Sequence, residues 1–461
     1  MNIISETDPT ITYLLKLMSE EHILSLTETM DMGSLVTSVK EKTDELGRKI
    51  IRSVIEILDQ SLVESENRKK DWNIQRRNQP KTIATLLGPI QYERTYFKNR
   101  QTKEYSHLVD DRINVMPHQR TGQELQVQLL KHAKELSYQK TVNLFEYTGI
   151  HSRTSVMNYV HRQGMIESSE CPLPEKRAVK RIYIEADEDH VATQHQGNQE
   201  LRLIYVHEGH VKVGKNRNKL INRRYFTGFY KGRPDELWYE VLTYLNETYD
   251  LDQVEEISLS GDGANWIKTG VGIIPKSKFY LDRFHLEKYL KKIANPIDSI
   301  NQTKGTYYWK LKDALSWNDK KEMKILLDSY LGHDVTLSQE KSIEDGRKYI
   351  LNNWAGIQNM LQTGYIGCSA EGHISHVLSS RLSSRPLGWS LKGAENVARL
   401  RVFGLNGGSF EAYYRNKAKE KRKENRMIKL EKRIIKKATK YAVTEGRINY
   451  ATPSFGWYKS M

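Results

Sequence analysis

Between Arg181 and Ile293 the chain passes through short apolar runs and helical patterns in one fixed order. Arg181 to Ala186 reads as a first strand, and Leu201 to His207 as a second. Gly209 to Val213 reads as a hairpin extension of the second, and Arg224 to Tyr230 as a third strand. A helix follows from Asp235, with Leu237, Val241, Leu242 and Leu245 on one face. Glu256 to Ser260 is a fourth strand and Ala264 opens a short helix. Lys278 to Asp282 is a fifth strand, and a helix then runs through Ile293. Strands that follow one another directly pair antiparallel, whereas strands separated by helices can pair in parallel through crossovers. The pattern therefore predicts an α/β fold, with helices on the faces of a mixed sheet.

An antiparallel trio extended by two parallel strands matches the ribonuclease-H-like fold. In open α/β sheets of this kind, sites form at the carboxyl ends of strands. Asp187 follows the first apolar run and Asp262 follows the fourth, within Ile257-Ser-Leu-Ser-Gly-Asp262-Gly263. A third carboxylate, Glu371, opens a later helical segment, Ala370-Glu371-Gly372-His373-Ile-Ser-His376. Two carboxylates at strand ends and a third on a helix can hold two divalent cations, roughly 3.5–4 Å apart, for phosphodiester chemistry. Mg²⁺ suits such hard oxygen ligands, and Mn²⁺ would substitute. Ala186, Gly261 and Gly263 leave room for close approach beside these residues. A lone Asp in such a place more often caps a turn or helix; two at the first and fourth strands of this order favour the metal reading.

Glu185, Asp187 and Asp189 share one face of the first strand. Asp187 is preferred because it falls at the end of the run, which leaves Asp189 as a supporting group or further ligand. Asp282 and His285 lie on one side of a helical turn, either as a helix cap with a surface imidazole or as a pair supporting the metal site. His373 and His376 flank Glu371, but no cysteine pair supports zinc. Arg381 and Arg385, among several serines, suit phosphate contacts. Trp389 either packs or stacks on a base.

Upstream, residues 1 to about 78 show helical spacing at Ile23, Leu24, Leu26 and from Ile50 to Leu58. Ser65 to Arg77 is polar and basic, as at an exposed helix end. Thr82 to Phe97 alternates around Gly88-Pro89 and predicts a hairpin. Gln123 to Leu136, then Ser137 to Tyr147, then Ser152 to Arg162 give three helices with a Gly149 turn, a helix-turn-helix layout. In it Ser152 and Arg153 would meet DNA. Residues 169–180, with Pro172 and Pro174, read as a linker, and 298–365 as a helical insertion. The expected domains are 1–120, helical with a hairpin; 121–168, DNA-binding; 178–410, catalytic; and 411–461, a basic tail.

The net charge of +15 favours a polyanionic partner. From Arg415 to Lys440 there are 13 Lys or Arg and 3 Glu, a helix-compatible run in which Arg422 and Lys423 are candidate DNA contacts. Two cysteines exclude a disulfide framework and suit a reducing cytoplasm. No secretory signal or transmembrane stretch is expected. Walker, dinucleotide and nucleophile-elbow motifs are absent from the sequence.

Glu185-Ala-Asp187, Ser260-Gly-Asp262-Gly-Ala-Asn-Trp-Ile267, Asp282-Arg-Phe-His285 and Cys368 to His376, followed by Arg381 to Ser390, resemble the ISLre-type insertion-sequence transposases. That group is similar to the Mutator-like DDE transposases. The resemblance extends to Leu87–Phe97 and the helix-turn-helix region. It implies a triad of Asp187, Asp262 and Glu371 on two Mg²⁺ ions, with a helical insertion before the Glu. The spacings, 262 − 187 = 75 and 371 − 262 = 109, suit such an insertion. It also implies double-stranded DNA as partner, a homo-oligomer on DNA, a nucleoid-associated cytoplasmic location and no membrane. Many relatives read Asp-Gly at the first acidic residue, whereas this chain reads Asp187-Glu188-Asp189. Two other readings stay open: a ribonuclease-H-like nuclease without strand transfer, and a DNA-binding regulator descended from a transposase.

Overall fold

The computed structural model describes residues 31–162, 166–215, 217–362, 364–385 and 387–444. The periodicity at Ile23, Leu24 and Leu26 lies outside the described residues. Helix α1 (Met32–Glu64) is capped by Asp31, whose carboxylate accepts from the Ser34 amide at 3.0 Å. Its Ile55 packs with Ile83, Ile90, Tyr92 and Val109 into a small core over a hairpin. The short α2 (Glu66–Asp71) leads into that hairpin, β1 (Trp72–Thr85) and β2 (Gly88–Asn99), with β3 (Tyr105–Ser106) beside β2.

Here the expected helix end over Ser65–Arg77 is corrected. Helix stops at Asp71 and the chain is strand from Trp72, because β2 continues to Asn99 and offers Trp72 a ladder partner. Register shifts between Ile74 and Gln79 absorb Asn78, at φ 53°. The reversal falls at Leu86-Leu87, one step before the expected Gly-Pro. Gly88 opens β2 at φ +104°, a conformation that favours glycine.

Helix α3 (Leu108–Ile113) precedes three helices: α4 (Gln123–Ala133), α5 (Tyr138–Leu144) and α6 (Arg153–Arg162). Ser137 caps α5, accepting from the Lys140 amide, and the Ser152 hydroxyl accepts from the Thr154 amide, both at 3.2 Å. Leu125, Leu129 and Leu130 of α4 and Val156 and Val160 of α6 are buried.

The main sheet is built from β4 (Arg181–Thr193), β5 (Gly197–His207), β8 (Arg224–Gly228), β9 (Glu256–Gly261) and β10 (Ser277–Leu281). Its order is β10-β9-β4-β5-β8. β4, β5 and β8 pair antiparallel, and β4–β9 and β9–β10 pair parallel. Strands β6 (His210–Gly214) and β7 (Arg217–Leu220) form a separate hairpin. The expected extension of β5 by Gly209–Val213 is thereby corrected: Gly209, at φ +107°, follows the end of β5, and His210–Gly214 pairs with β7 instead.

One face of β4 carries Ile182, Ile184 and Ala186. They pack with Leu237, Trp238, Val241 and Leu245 of α7 (Pro234–Thr248) and with Trp266 and Ile267 of α8 (Asn265–Ile273). Burial of this alternating aliphatic set, at roughly 25 cal/mol per Å² of apolar surface, fixes which face of β4 turns inward.

Among its described residues the insertion contains helices joined by turns and no strand. It comprises the end of α9 (Arg283–Ile300), then α10 (Thr306–Ala314), α11 (Lys320–Ser329), α12 (Leu337–Asn352) and α13 (Trp354–Leu361). Leu290, Ile293 and Ile297 of α9 anchor its own core, with Leu311, Leu327, Ile343 and Ile357. Then come α14 (Ala370–Ile374), a π-helical turn (Ser375–Ser379), α15 (Ser380–Leu382) and α16 (Leu391–Leu405). From Ser409 the chain forms a second unit, which contains the helix α17 (Phe410–Thr444). Among the described residues no helix is long and apolar enough to cross a membrane.

Candidate active site

Strand β4 continues to Thr193, so Asp187 is not at its end as the apolar run suggests. Its parallel pairing with β9, however, stops at Glu185–Ser260. Asp187 therefore lies two residues beyond the last parallel pair, and Asp262 one residue beyond β9. The two strands approach closely there: a Cβ on Gly261 would sit 2.8 Å from the Ala186 carbonyl oxygen.

The electrostatics tie these groups together. Burial pushes the Asp187 carboxyl up to about 7, and the Asp262 charge adds to it. The Glu188 amide, which donates to Asp187 Oδ1 at 2.9 Å, pulls the other way, as does His285. Glu188 is also raised, by burial and by Asp262, although Trp266 Nε1 donates to it at 2.7 Å. Asp282 caps α9 and accepts from His285 Nδ1 at 2.9 Å. That bond raises the imidazole, against burial, and Asp262 and Asp187 add to the effect. Asp187, Asp262, Asp282 and His285 thus form one electrostatic unit at the β4–β9–β10 edge.

The loop carrying Asp262 is buttressed from the insertion. Tyr349 of α12 donates its hydroxyl to the Asp262 carbonyl. Gly263, at φ +91°, lies so close to Asn353 that a Cβ there would meet its Oδ1 at 2.4 Å. Asp262 itself accepts from the Ala264 amide at 2.9 Å, the capping role available to any such Asp.

Glu371 stands exposed in the first turn of α14. The polar face of β4 holds that helix. Buried Glu185 accepts from the Ser369 amide and hydroxyl, from Tyr205 and from His207 Nε2, the last at 2.9 Å. The Tyr225 hydroxyl and His373 Nδ1 share a hydrogen bond of 2.8 Å, and burial pushes that imidazole down to about 4. Farther along, the Ser383 hydroxyl reaches both Asp189 oxygens, at 2.8 and 2.9 Å. The segment from Ser369 to Ser383 is thus tied to the face of β4 that carries Asp187. Among the described residues, no three His, Cys, Asp or Glu side chains converge closely enough to hold a metal together.

A model of the uncharacterised protein family UPF0236 matches residues 25–422. The chain belongs to this family. One UPF0236 protein of Caldanaerobacter subterraneus subsp. tengcongensis is 37% identical over 420 residues, covering 91% of this chain and 88% of that relative. Another from the same bacterium is 38% identical over 380 residues, covering 82% of this chain and 79% of the relative, under a name that joins eleven gene labels. UPF0236 therefore has multiple paralogues in one bacterium.

In this UPF0236 member, one expected contact is corrected. Arg381 is only 7% exposed; its guanidinium bonds the Ala133 carbonyl and stacks on Trp389, 4.8 Å from the ring centroid. Its serine-rich surroundings suggested phosphate binding, but helix α4 covers it. Trp389 packs, donating to the Leu382 carbonyl at 3.0 Å. Arg385, Ser152, Arg153 and Lys423 are exposed, and Arg422 is half-buried. Glu185, Tyr205, His207 and Ser369 escaped the sequence reading as a unit. Their one signal was Glu185, polar within an apolar run.

Proposed function

We propose that this chain is a DNA transposase of a bacterial insertion sequence, with a ribonuclease-H-like catalytic core. The carrying observation is the pairing of Asp187 and Asp262 at the edge where β4 and β9 part, beside Asp282 and His285. Two like charges at a partly buried strand edge repel each other, and a divalent cation bound by their hard carboxylate oxygens would offset that repulsion. Asp187 and Asp262 would hold Mg²⁺ or Mn²⁺, with Glu371 as the third carboxylate on the adjoining helix. When bound, a metal pair activates the attacking oxygen and neutralises charge at the scissile phosphate.

The residues have separate tasks. Asp282 orients His285, whose imidazolium character suits a phosphate oxygen nearby. Glu185 and Ser369 hold α14 over β4 and so fix the approach of Glu371. The exposed start of α6, Ser152 and Arg153, offers a helix end to DNA in a helix-turn-helix arrangement, and α17 with Arg422 and Lys423 supplies charge for the backbone. The strand order supports this reading, and so does the family's multiplicity in one genome, which is what a self-moving element leaves behind. The protein would then act on double-stranded DNA as a homo-oligomer.

The test is incubation with a plasmid carrying candidate element ends, Mg²⁺ or Mn²⁺ and a target plasmid, scoring nicks and joined products. Asp262→Asn is expected to abolish both while leaving end binding intact. Full cleavage by that variant would overturn the assignment. Cleavage by the wild type without joined products would favour a nuclease.

A further inference from the structure

A cavity lies beside the N-terminal hairpin, outside the carboxylate cluster. Strands β1, β2 and β3 with α3 and the segment up to Arg120 enclose a cavity of about 600 Å³. That volume is within the range that small-molecule ligands occupy. Its lining combines cations with stacked rings. Lys81, Arg94 and Arg120 contribute positive charge, against the carboxylates of Asp110 and Asp111. Tyr96 stacks on Tyr105, with centroids 5.4 Å apart and planes 16° from parallel, and lies 4.7 Å from the His107 ring.

The cations are held without full compensation. Arg94 pairs with Asp110, which Tyr92 also bonds at 2.9 Å, yet its buried Nε finds no acceptor among the described residues. Neither Lys81 nor Arg120 forms an ion pair among the described residues. Burial lowers the Lys81 ammonium, and the Arg94 and Arg120 charges lower it further, so the three act on one space. The backbone of Arg120 is fixed, its carbonyl accepting from the Ala84 amide at 2.9 Å. Tyr105 remains 50% exposed at the mouth, and the Lys98 ammonium lies over its ring, 5.1 Å from the centroid.

Clustered cations recognise phosphate oxygens, and an exposed aromatic stack takes a planar base. We propose that this cavity binds one nucleotide unit, with its phosphate on Lys81 and Arg120 and its base against the Tyr96–Tyr105 stack. Arg94 lines the same space. The unit comes either from an unpaired stretch of DNA or from a free nucleoside triphosphate. The site does not depend on the carboxylate cluster.

The test uses the full chain, irradiated with a 5-iodouracil-containing single-stranded oligonucleotide or with 8-azido-ATP, followed by peptide mapping of the adducts. Adducts on Tyr96, Tyr105 or His107 are expected with one of the probes, and that probe identifies the source. Arg120→Ala should lower the yield at these residues at least fivefold, while Tyr105→Phe, which keeps the ring, should preserve it. Adducts confined to other residues, or a yield at these residues unmoved by Arg120→Ala, would overturn the site. Running the same mapping on Asp262→Asn separates this site from the proposed function: unchanged adducts there, whatever the cleavage result, leave the nucleotide site standing.

Discussion

Asp187 and Glu185 sit two positions apart on one strand face and play opposite parts. Glu185 spends its carboxylate on Ser369, Tyr205 and His207. Among the described residues Asp187 accepts one hydrogen bond, from the next amide, and the charge of Asp262 acts on it. Its proton is therefore held to about 7 in the fold, against 3.8 for the ordinary side chain. Between those values the folded state binds the extra proton, so stability is full at low pH and falls as pH rises through 7. Asp187→Asn should remove that decline and leave the variant more stable at pH 8, by on the order of 1–3 kcal/mol after allowance for solvent. Urea unfolding across pH 4–8 measures it, and parallel curves for the two proteins would contradict the raised carboxyl. Mg²⁺ should stabilise the wild type at pH 8 and the variant less. Glu185→Ala, by contrast, strips several donors of a buried acceptor. It should cost about 3–5 kcal/mol of unfolding free energy and release α14. Faster hydrogen exchange of the Ser369–Ile374 amides, ahead of the β4 amides, is the expected signature.

At the scale of elements, the close approach of β4 and β9 decides whether the two aspartates meet. Gly261 makes that approach possible, because a Cβ there would press on the Ala186 carbonyl and on Ile267. Gly261→Ala should therefore spread the strand ends and lower metal-dependent cleavage by about tenfold or more, since an ångström of misplacement is costly in catalysis. Circular dichroism should remain close to wild type. Cleavage at the wild-type rate in a folded variant would show that the spacing is not critical. The order of strands and helices here was legible from apolar periodicity, and Leu237, Val241 and Leu245 of α7 bury as their spacing implied. The strand from Trp72 was not legible. Its residues are polar and basic, and only the partner strand, ending at Asn99, draws them into a ladder.

For the whole molecule, charge is the property most directly readable. The run Arg415–Lys440 carries 13 basic and 3 acidic residues, and the described structure makes it part of one long helix. Removing the chain after Gly408 should weaken non-specific duplex binding and flatten the slope of log affinity against log salt by several units, through fewer released counterions. Fluorescence anisotropy between 50 and 200 mM salt, a range over which such contacts lose about 10³–10⁵ in affinity, reads this out. An unchanged slope would mean that α17 does not contact the backbone.

The sequence by itself determined the alternation of strands and helices, the sign of the charge, and the short set of acidic residues from which a site could be made. These are local or additive properties, carried by neighbouring residues and by sums. Only the tertiary structure decided which carboxylates meet, and that Asp189 is spent on Ser383 and Glu185 on Ser369, Tyr205 and His207 while Asp187 is not. It also turned Arg381 from a phosphate ligand into a buried prop, and gathered Lys81, Arg94 and Arg120 around one cavity. Desolvation and convergence depend on what the rest of the chain places beside a residue, and no spacing within a segment encodes that.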